Sequence, residues 1–192
     1  MIIVMRTIAR KMKFVPITAD NVAMACRMQH QLFPQEDCNA DHDYVNGYTH
    51  PERRREHWLI QVGSDFVGIA GIYDLDVEPE TAWLGWFGIM PEFRRKGYGE
   101  AALSLFEDVA RKRGYLYARL FTERTDADAI RLYLRCGFFQ EAYSCPTDPD
   151  ALTVPMYIMS KSLYTDRPCP AWNNRDIKLW YQFSKQTERL YE

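Results

Sequence analysis

Apolar and polar residues alternate near the start of the chain, a pattern typical of a half-buried β-strand. Lys13 to Ile17 has this pattern and predicts the first strand. Helical spacing follows from about Ala19 to Leu32, with Thr18 placed to cap the helix and Phe33-Pro34 placed to end it. Asn21 stands where a complete capping box would have Glu, so that box is incomplete.

Three more strands are predicted as a meander. Trp58–Val62 and Phe66–Leu75 flank the turn sequence Gly63-Ser64-Asp65 and read as a hairpin. Glu78-Pro79-Glu80 is interpreted as the next connection, and Trp83–Met90 as the following strand, the fourth of the chain.

Two glycines, Gly85 and Gly88, interrupt that fourth strand. Glycine weakens a strand, so the pair marks either a bulge or a place where something lies close to the backbone. Pro91 then ends the strand.

The second half of the chain alternates helices with strands. Gly99–Arg113 carries apolar residues at helical spacing, with basic residues in its last turn and a glycine after it. The remaining predicted elements are, in order, a strand, a short helix and two strands: Tyr115–Thr122, Ala127–Cys136, Phe138–Ala142 and Val154–Ser160.

The domain organisation follows from where this pattern stops. Residues 1–160 are predicted to form a single domain with its core at about 13–160, and residues 161–192 a C-terminal extension. The proline-rich sequence Arg167–Pro170 breaks the extension, and Asn174–Leu190 has a partly amphipathic helical pattern. That helix is expected to pack on the domain or on a second subunit, so a homodimer is possible.

Composition and charge exclude several classes of protein. Hydrophobic residues make up 47% and charged residues 26%, as in a globular protein, and the net charge of −2 gives no general attraction for nucleic acid. No apolar run approaches the roughly 20 residues of a membrane span, and no signal peptide is recognised. The five cysteines include no CxxC pair, which favours a reducing, cytoplasmic location and no metal site.

The sequence between the fourth strand and the long helix has the chemistry of a phosphate site. It reads Arg94-Arg95-Lys96-Gly97-Tyr98-Gly99 and opens the helix. A helix N-terminus presents unpaired N–H groups, glycines allow close approach to the backbone, and the cations add positive charge. A basic strand-to-helix turn with no ligand is the alternative interpretation.

Two segments resemble the GCN5-related N-acetyltransferase (GNAT) family. The loop is similar to that family's [Q/R]-x-x-G-x-[G/A] motif, which Arg94, Gly97 and Gly99 match. A second segment, 126–138, is similar to N-x-x-A-x-x-x-Y-x-x-x-G-F and matches at Ala129, Tyr133, Gly137 and Phe138. The resemblance implies an α/β (α+β) fold with a mixed, mostly antiparallel central sheet, flanked by helices and splayed between its fourth and fifth strands.

The resemblance also implies acetyl-CoA as co-substrate and the residues that bind it. Pantetheine would lie against Phe87, Gly88 and Ile89 in the gap between the splayed strands. The pyrophosphate would bind the N–H groups from Arg95 through Lys96, Gly97, Tyr98 and Gly99 to Glu100, with the Glu100 side chain turned outward. Asp126 replaces the family asparagine that bonds the coenzyme arm, and its main expected role is to cap the helix after it.

Two catalytic residues are predicted. Tyr133 matches the family tyrosine that acts as general acid to the departing CoA thiolate, although a core aromatic would fit the same helix. The fourth strand, taken as Trp83–Met90, has no carboxylate, so Glu123 at the end of the fifth strand is the nearest candidate base. Water relayed to Asp76, Glu80 or His57 is the alternative.

The implied reaction is acetyl transfer to a small-molecule amine or a peptide amine. In the family, the loop after the first helix helps to build the acceptor pocket; here it is acidic, which would attract a cationic amine or simply be solvated. Its charged residues are Glu36, Asp37, Asp41, His42 and Asp43. The alternatives are transfer of a longer acyl group and a non-catalytic CoA-binding module.

Overall fold

The computed structural model describes residues 11–34, 44, 55–75, 78–142 and 156–172. The strands are β1 (Met12–Pro16), β2 (Arg55–Val62), β3 (Asp65–Leu75), β4 (Glu78–Ile89), β5 (Tyr117–Glu123), β6 (Phe139–Ala142) and β7 (Met156–Ser162). The helices are α1 (Val22–Leu32), α2 (Tyr98–Lys112) and α3 (Ala127–Arg135), with a 3₁₀ turn at Pro91–Phe93.

The strands form one sheet in the order β1-β2-β3-β4-β5-β7-β6. Neighbouring strands are antiparallel except β4 and β5, which are parallel. The predicted mixed, mostly antiparallel sheet is therefore confirmed.

Side chains alternate between the two faces of this sheet and build separate cores. On one face, Ala82 and Leu120 join the cluster that includes Phe106 of α2 and Tyr133 of α3. On the opposite face, α1 covers β2 and β3, and a second cluster further along the sheet surrounds Trp83. The sheet is thus covered by α2 and α3 on one side, and by α1 and the C-terminal segment on the other.

Several predicted boundaries differ from the observed ones, and two of these differences have a clear physical reason. The first helix begins at Val22 rather than Ala19, because the backbone N–H of Thr18 donates to Asn21 Oδ1 at 2.8 Å and closes a turn before the helix. Glu78–Glu80, interpreted as a connection, is the start of β4. There the Glu80 carbonyl accepts from the N–H of Leu116 at 2.8 Å, and Glu78 is held by a buried ion pair.

That ion pair belongs to a buried network around Arg119, whose side chain is fully buried. Arg119 donates to both carboxylate oxygens of Glu78, from Nε at 3.1 Å and from Nη2 at 3.3 Å. Its Nη1 reaches Glu141 at 3.2 Å and also the Ser160 hydroxyl. This one guanidinium group joins four strands: β4, β5, β7 and the edge strand β6.

The same network holds the C-terminal segment. Arg119 Nη2 donates to the Pro170 carbonyl at 2.8 Å, and the backbone N–H of Trp172 donates to Glu141 at 2.7 Å. Trp172 is buried and packs edge-on against Trp83. Pro170 and Trp172 of the predicted C-terminal extension are therefore attached to the sheet, while the helix predicted at Asn174–Leu190 lies outside the described residues.

The described helices are all short. The longest, α2, has 15 residues, and none of those described has the length and apolar character of a membrane span.

Candidate active site

The site begins where β4 and β5 separate. Their parallel pairing is limited to Thr81–Tyr117, Ala82–Ala118 and Trp83–Arg119. Beyond this point β5 continues to pair with β7, and β4 continues along β3. The predicted splay is therefore present, and it leaves one edge of the last half of β4 facing a gap in the sheet.

A β-bulge in β4 lies beside this gap. The pairing of β3 with β4 changes register between Ile69–Gly88 and Gly71–Gly85, so Trp86 and Phe87 together lie opposite Ala70. Trp86 has a φ of 44°, which is uncommon for a bulky residue. A bulge interrupts regular pairing and redirects neighbouring side chains, so the backbone at 86–87 is turned out of the ladder beside the gap.

The glycines that predicted this bulge are also explained by contacts within the protein. A Cβ on Gly88 would lie 2.9 Å from Leu32 Cδ1 at the end of α1, and one on Gly85 would lie 3.1 Å from the Tyr73 ring. A side chain at either position would therefore require a neighbouring side chain to shift, whether or not a ligand approaches.

The N-terminus of α2 follows directly. Gly97 has a φ of 83° and Arg95 a φ of 61°, both left-handed, and together they turn the chain into the helix. The N–H of Ala101 bonds back to the Gly97 carbonyl at 3.1 Å. The amides just before it, at Tyr98, Gly99 and Glu100, belong to the first turn, which has no intrahelical acceptor. This is the predicted concentration of free donors.

The cationic side chains of the loop have different roles. Arg94 Nε donates to the Ile89 carbonyl at 2.9 Å, and Lys96 Nζ donates to the Glu92 carbonyl at 2.9 Å. These two residues thus shape the loop as well as adding charge. Arg95 instead reaches across to Asp128 of α3, at 3.0 Å.

The first turn of α2 is in contact with the middle and the end of α3. A Cβ on Gly99 would lie 3.0 Å from Leu132 Cδ2, so glycine at this position allows α3 to approach closely. Arg135 Nε donates to Glu100 Oε1 at 3.1 Å. The Glu100 carboxylate is therefore directed to α3 and is neutralised there, which reduces its repulsion of an anion at the helix N-terminus.

Tyr133 is buried on α3, and its ring centroid lies 6.4 Å from that of Phe87 on the bulge. The predicted general acid and the predicted pantetheine strand are therefore brought together. Burial, and to a lesser degree the charges of Asp126 and Cys136, raise the pKa of Tyr133 well above its usual value. Within the described ranges, no residue hydrogen-bonds its hydroxyl, which stays protonated at neutral pH.

Asp126 caps α3, because its Oδ1 accepts from the N–H of Ala129 at 3.0 Å. The capping role expected from the sequence is present. An ionised cap beside the helix also contributes to the raised pKa of Tyr133.

Glu123 ends β5 and is exposed, where it accepts from Thr125 Oγ1 at 3.2 Å. Alternation along the strand places it on the face of Phe121, which packs with Trp83 and Trp172. Tyr133 lies in the cluster of the other face. The two predicted catalytic residues therefore lie on opposite faces of the sheet.

The carboxylates of β4 lie at its beginning, away from the gap. With β4 beginning at Glu78, the expectation that the fourth strand lacks a carboxylate was wrong for the complete strand. The Glu78 carboxylate is bonded to Arg119. Glu78 and Glu80 both precede the segment of β4 that pairs with β5, so the part of β4 beside the gap, Leu84–Ile89, contains no carboxylate. Asp76 and the acidic residues of the loop after α1 lie outside the described residues.

One residue of that loop is described. Tyr44 is buried, donates to Gln29 Oε1 at 2.5 Å and packs edge-on against His57. It attaches the loop to α1 and β2. No sequence pattern indicated this contact, since Tyr44 and Gln29 are joined only by the fold.

A parallel pair of strands that separates at a bulge, next to a glycine-containing helix N-terminus, defines the acyl-CoA-type acyltransferase fold that the sequence resemblance implied. The sequence pattern of the Acetyltransferase (GNAT) family matches residues 23–138, more than half of the chain. The chain belongs to the GNAT acetyltransferase family.

Solved structures agree on the fold. A GNAT-family protein from Desulfovibrio desulfuricans superposes with a TM-score of 0.68 at 18% identity, covering 80% of this chain and 98% of its own. Spermidine N-acetyltransferase from Vibrio cholerae, in complex with CoA and spermine, superposes with a TM-score of 0.65 at 12% identity, covering 80% of this chain and 96% of its own. The ribosomal-protein-S18-alanine N-acetyltransferase from Escherichia coli superposes with a TM-score of 0.61 at 18% identity, covering 84% of this chain and 97% of its own. No curated protein matches the sequence.

Proposed function

We propose that this chain transfers an acetyl group from acetyl-CoA to a primary amine, by direct attack of the amine on the thioester in a ternary complex. The observation that carries the proposal is the gap between β4 and β5, which opens beside the N-terminus of α2. A helix N-terminus attracts phosphate, and an unpaired strand edge can bond to an amide-containing arm. The two features suit the two halves of coenzyme A.

The coenzyme would lie along these two elements. Its pyrophosphate would accept from the amides between Arg95 and Glu100, where Gly97 and Gly99 leave space at the backbone. Its pantetheine arm would bond to the β4 backbone at 87–89. Asp126, which already accepts from Ala129, would contact the arm only as an acceptor, because an ionised carboxylate has no proton to donate.

The chemistry would take place where Phe87 and Tyr133 meet. The amine nitrogen attacks the thioester carbonyl, a backbone N–H near Ile89 stabilises the oxyanion, and the tetrahedral intermediate expels the CoA thiolate. Tyr133 donates a proton to that thiolate. Its raised pKa keeps the phenol neutral, which makes Tyr133 unsuited to act as the base. The same shift makes the phenol a weaker acid than the CoA thiol, so the help it gives the departing sulfur is mainly a hydrogen bond, with only modest proton transfer.

The amine must lose a proton before it attacks, because an alkylammonium has a pKa of about 10.4. Glu123 is the proposed base, with a water-mediated path to Glu80, His57 or Asp76 as the alternative. Glu78 is a poor candidate because its carboxylate is buried and bonded to Arg119.

The acceptor is proposed to be a small-molecule or peptide amine. The V. cholerae and E. coli proteins above act on a polyamine and on a protein alanine, so one fold accommodates both classes. The proposed location is the cytoplasm, and free thiols at Cys26, Cys136 and Cys169 are compatible with it.

The test is release of CoA thiol from acetyl-CoA across a panel of polyamines, small primary amines and peptides with free N-termini or lysines. Product masses would identify the acetylated nitrogen. We expect amine-dependent thiol release with at least one class. If no amine of the panel causes thiol release while CoA binding is retained, catalysis would be contradicted and a CoA-binding module favoured. Faster release from a longer acyl-CoA would contradict acetyl specificity.

A further inference from the structure

Two charged side chains of α3, Asp128 and Arg131, lie beside the proposed pyrophosphate loop and have no role in the function proposed above, and the side chain of Arg95 in that loop pairs with Asp128. Asp128, in the first turn of α3, accepts from two guanidinium groups at once. Arg95 Nη2 lies 3.0 Å from its Oδ2, and Arg131 Nη2 lies 2.5 Å from its Oδ1. The three side chains are 84%, 62% and 63% exposed for Arg95, Arg131 and Asp128, so a solute can reach all of them.

The ion pairs alone do not account for the position of Arg95. Its φ of 61° is a left-handed conformation, which is unfavourable for a non-glycine residue. An exposed ion pair contributes little stability and does not offset this cost. Strained residues of this kind concentrate at ligand clamps, which agrees with a ligand at this loop. The exposed Arg95 side chain is placed to contact such a ligand in addition to Asp128.

The location of these three side chains identifies the part of the ligand they would meet. The Gly99–Leu132 approach places the middle of α3 against the first turn of α2, and the Arg95–Asp128 pair joins the first turn of α3 to the loop before α2. An anion held by the α2 amides therefore has Arg95 on its own loop and Arg131 on the adjacent helix. With Asp128 ionised, two guanidinium groups and one carboxylate leave one net positive charge for a further anion.

We propose that Arg95 and Arg131 together bind the 3′-phosphate of coenzyme A, and that Asp128 competes with this phosphate for the two guanidinium groups. The inference rests on the proposed function, because it requires the pyrophosphate to lie at the α2 N-terminus. A phosphomonoester carries a charge of about −1.5 to −2 at neutral pH and offers three acceptor oxygens, so it displaces a single carboxylate from a pair of arginines. Arg131 and Arg95 lower the pKa of Asp128, which keeps the competitor charged.

The experiment is calorimetric titration of the full chain with coenzyme A and with 3′-dephospho-coenzyme A. The unchanged chain should prefer coenzyme A. Arg131→Gln should lose about tenfold in affinity for coenzyme A, as expected for one charge-assisted contact, and should bind the dephospho compound as before. Asp128→Asn should strengthen binding of coenzyme A alone, because the competing charge is gone.

The matched control is Lys112→Gln, which removes the same charge from an exposed position in the last turn of α2, far from the loop. It should leave both affinities unchanged. Equal affinity of the unchanged chain for the two compounds would overturn the inference while leaving the proposed function standing. Parallel losses for both compounds in Arg131→Gln would also overturn it. Failure to bind either compound would overturn both proposals.

Discussion

At the scale of single residues, the environment of Tyr133 determines what its hydroxyl can do. The ring is buried between Phe87 and Phe138, and its raised pKa favours the neutral phenol in the folded state. A neutral phenol can donate a proton to a thiolate and cannot accept one from an amine. The acid and base functions of the proposed mechanism therefore belong to different residues.

Tyr133→Phe keeps the ring and its packing while removing the proton donor. We expect turnover to fall by about tenfold or more, since general acid catalysis contributes typically 10²–10⁴-fold and a thiolate needs the help less than an alkoxide does. Affinity for acetyl-CoA should change little. Steady-state kinetics and calorimetry would test this, with Tyr164→Phe at a partly exposed position as the control. Unchanged turnover would remove Tyr133 from the mechanism.

The same pKa shift predicts how stability depends on pH. Below the unfolded value of about 10, Tyr133 is protonated in both states and has no effect on the pH dependence. Above it, the unfolded chain loses the proton while the folded chain retains it, so the folded state is progressively disfavoured. The urea concentration at the midpoint of unfolding should fall less steeply between pH 8 and pH 11 for Tyr133→Phe than for the unchanged protein. If the two proteins show the same dependence on pH, the raised pKa of Tyr133 would be contradicted.

Sequence reasoning succeeds at this scale when the interaction is local. Asp126 was recognisable as a helix cap because its acceptor partner, the N–H of Ala129, is three residues away. The Arg95–Asp128 pair joins positions 33 residues apart, and no local pattern predicts it. The face of the sheet on which Glu123 lies depends on the register of β5, because a shift of one residue would move its side chain to the opposite face.

At the scale of elements, the site depends on a strand and a helix that meet at one turn. The bulge in β4 turns the backbone towards the gap, and the left-handed Gly97 starts α2 immediately afterwards. The sequence predicted both elements from their glycines and apolar spacing. It missed the first residues of β4, since Pro79 and two glutamates resemble a turn until the buried Arg119 supplies the partner of Glu78.

Gly97→Glu should abolish coenzyme binding while leaving the fold intact, because the new side chain brings a negative charge to the α2 amides. A non-glycine residue in this conformation costs about 1–2 kcal/mol, which a matched control must share. Gly114→Glu is that control: its φ of 85° is nearly that of Gly97, and a Cβ there meets nothing within 4 Å.

Both variants would be titrated with acetyl-CoA by calorimetry after circular dichroism has shown that they fold. Gly114→Glu should bind like the unchanged protein, because it carries the same charge and strain at the opposite end of α2. Normal affinity in Gly97→Glu would refute the assignment of the loop.

At the scale of the whole molecule, two different interiors hold the sheet together. The face under α2 and α3 is an ordinary apolar core. The other face includes a charged centre, in which Arg119 joins Glu78 and Glu141 and stacks on Trp172. A buried charge is tolerated only when its partners are complete, so the C-terminal segment is needed to enclose this centre.

Trp172→Ala should destabilise the protein by about 3–5 kcal/mol, the usual cost of removing a large buried aromatic. Loss of the stacked ring would also let water reach Arg119. Urea unfolding would measure the change, with Tyr164→Ala on the same segment as an exposed comparison. Equal midpoints for Trp172→Ala and the unchanged protein would show that the segment is dispensable.

The family match ends at residue 138, yet the fold is closed by backbone groups at 170 and 172. A chain shortened after Ser162 would keep every motif of an acetyltransferase and would still leave Arg119 without the Pro170 carbonyl and the Trp172 ring. Anyone exchanging this unit between proteins should therefore carry it through residue 172, because the recognisable signature is shorter than the segment that encloses Arg119.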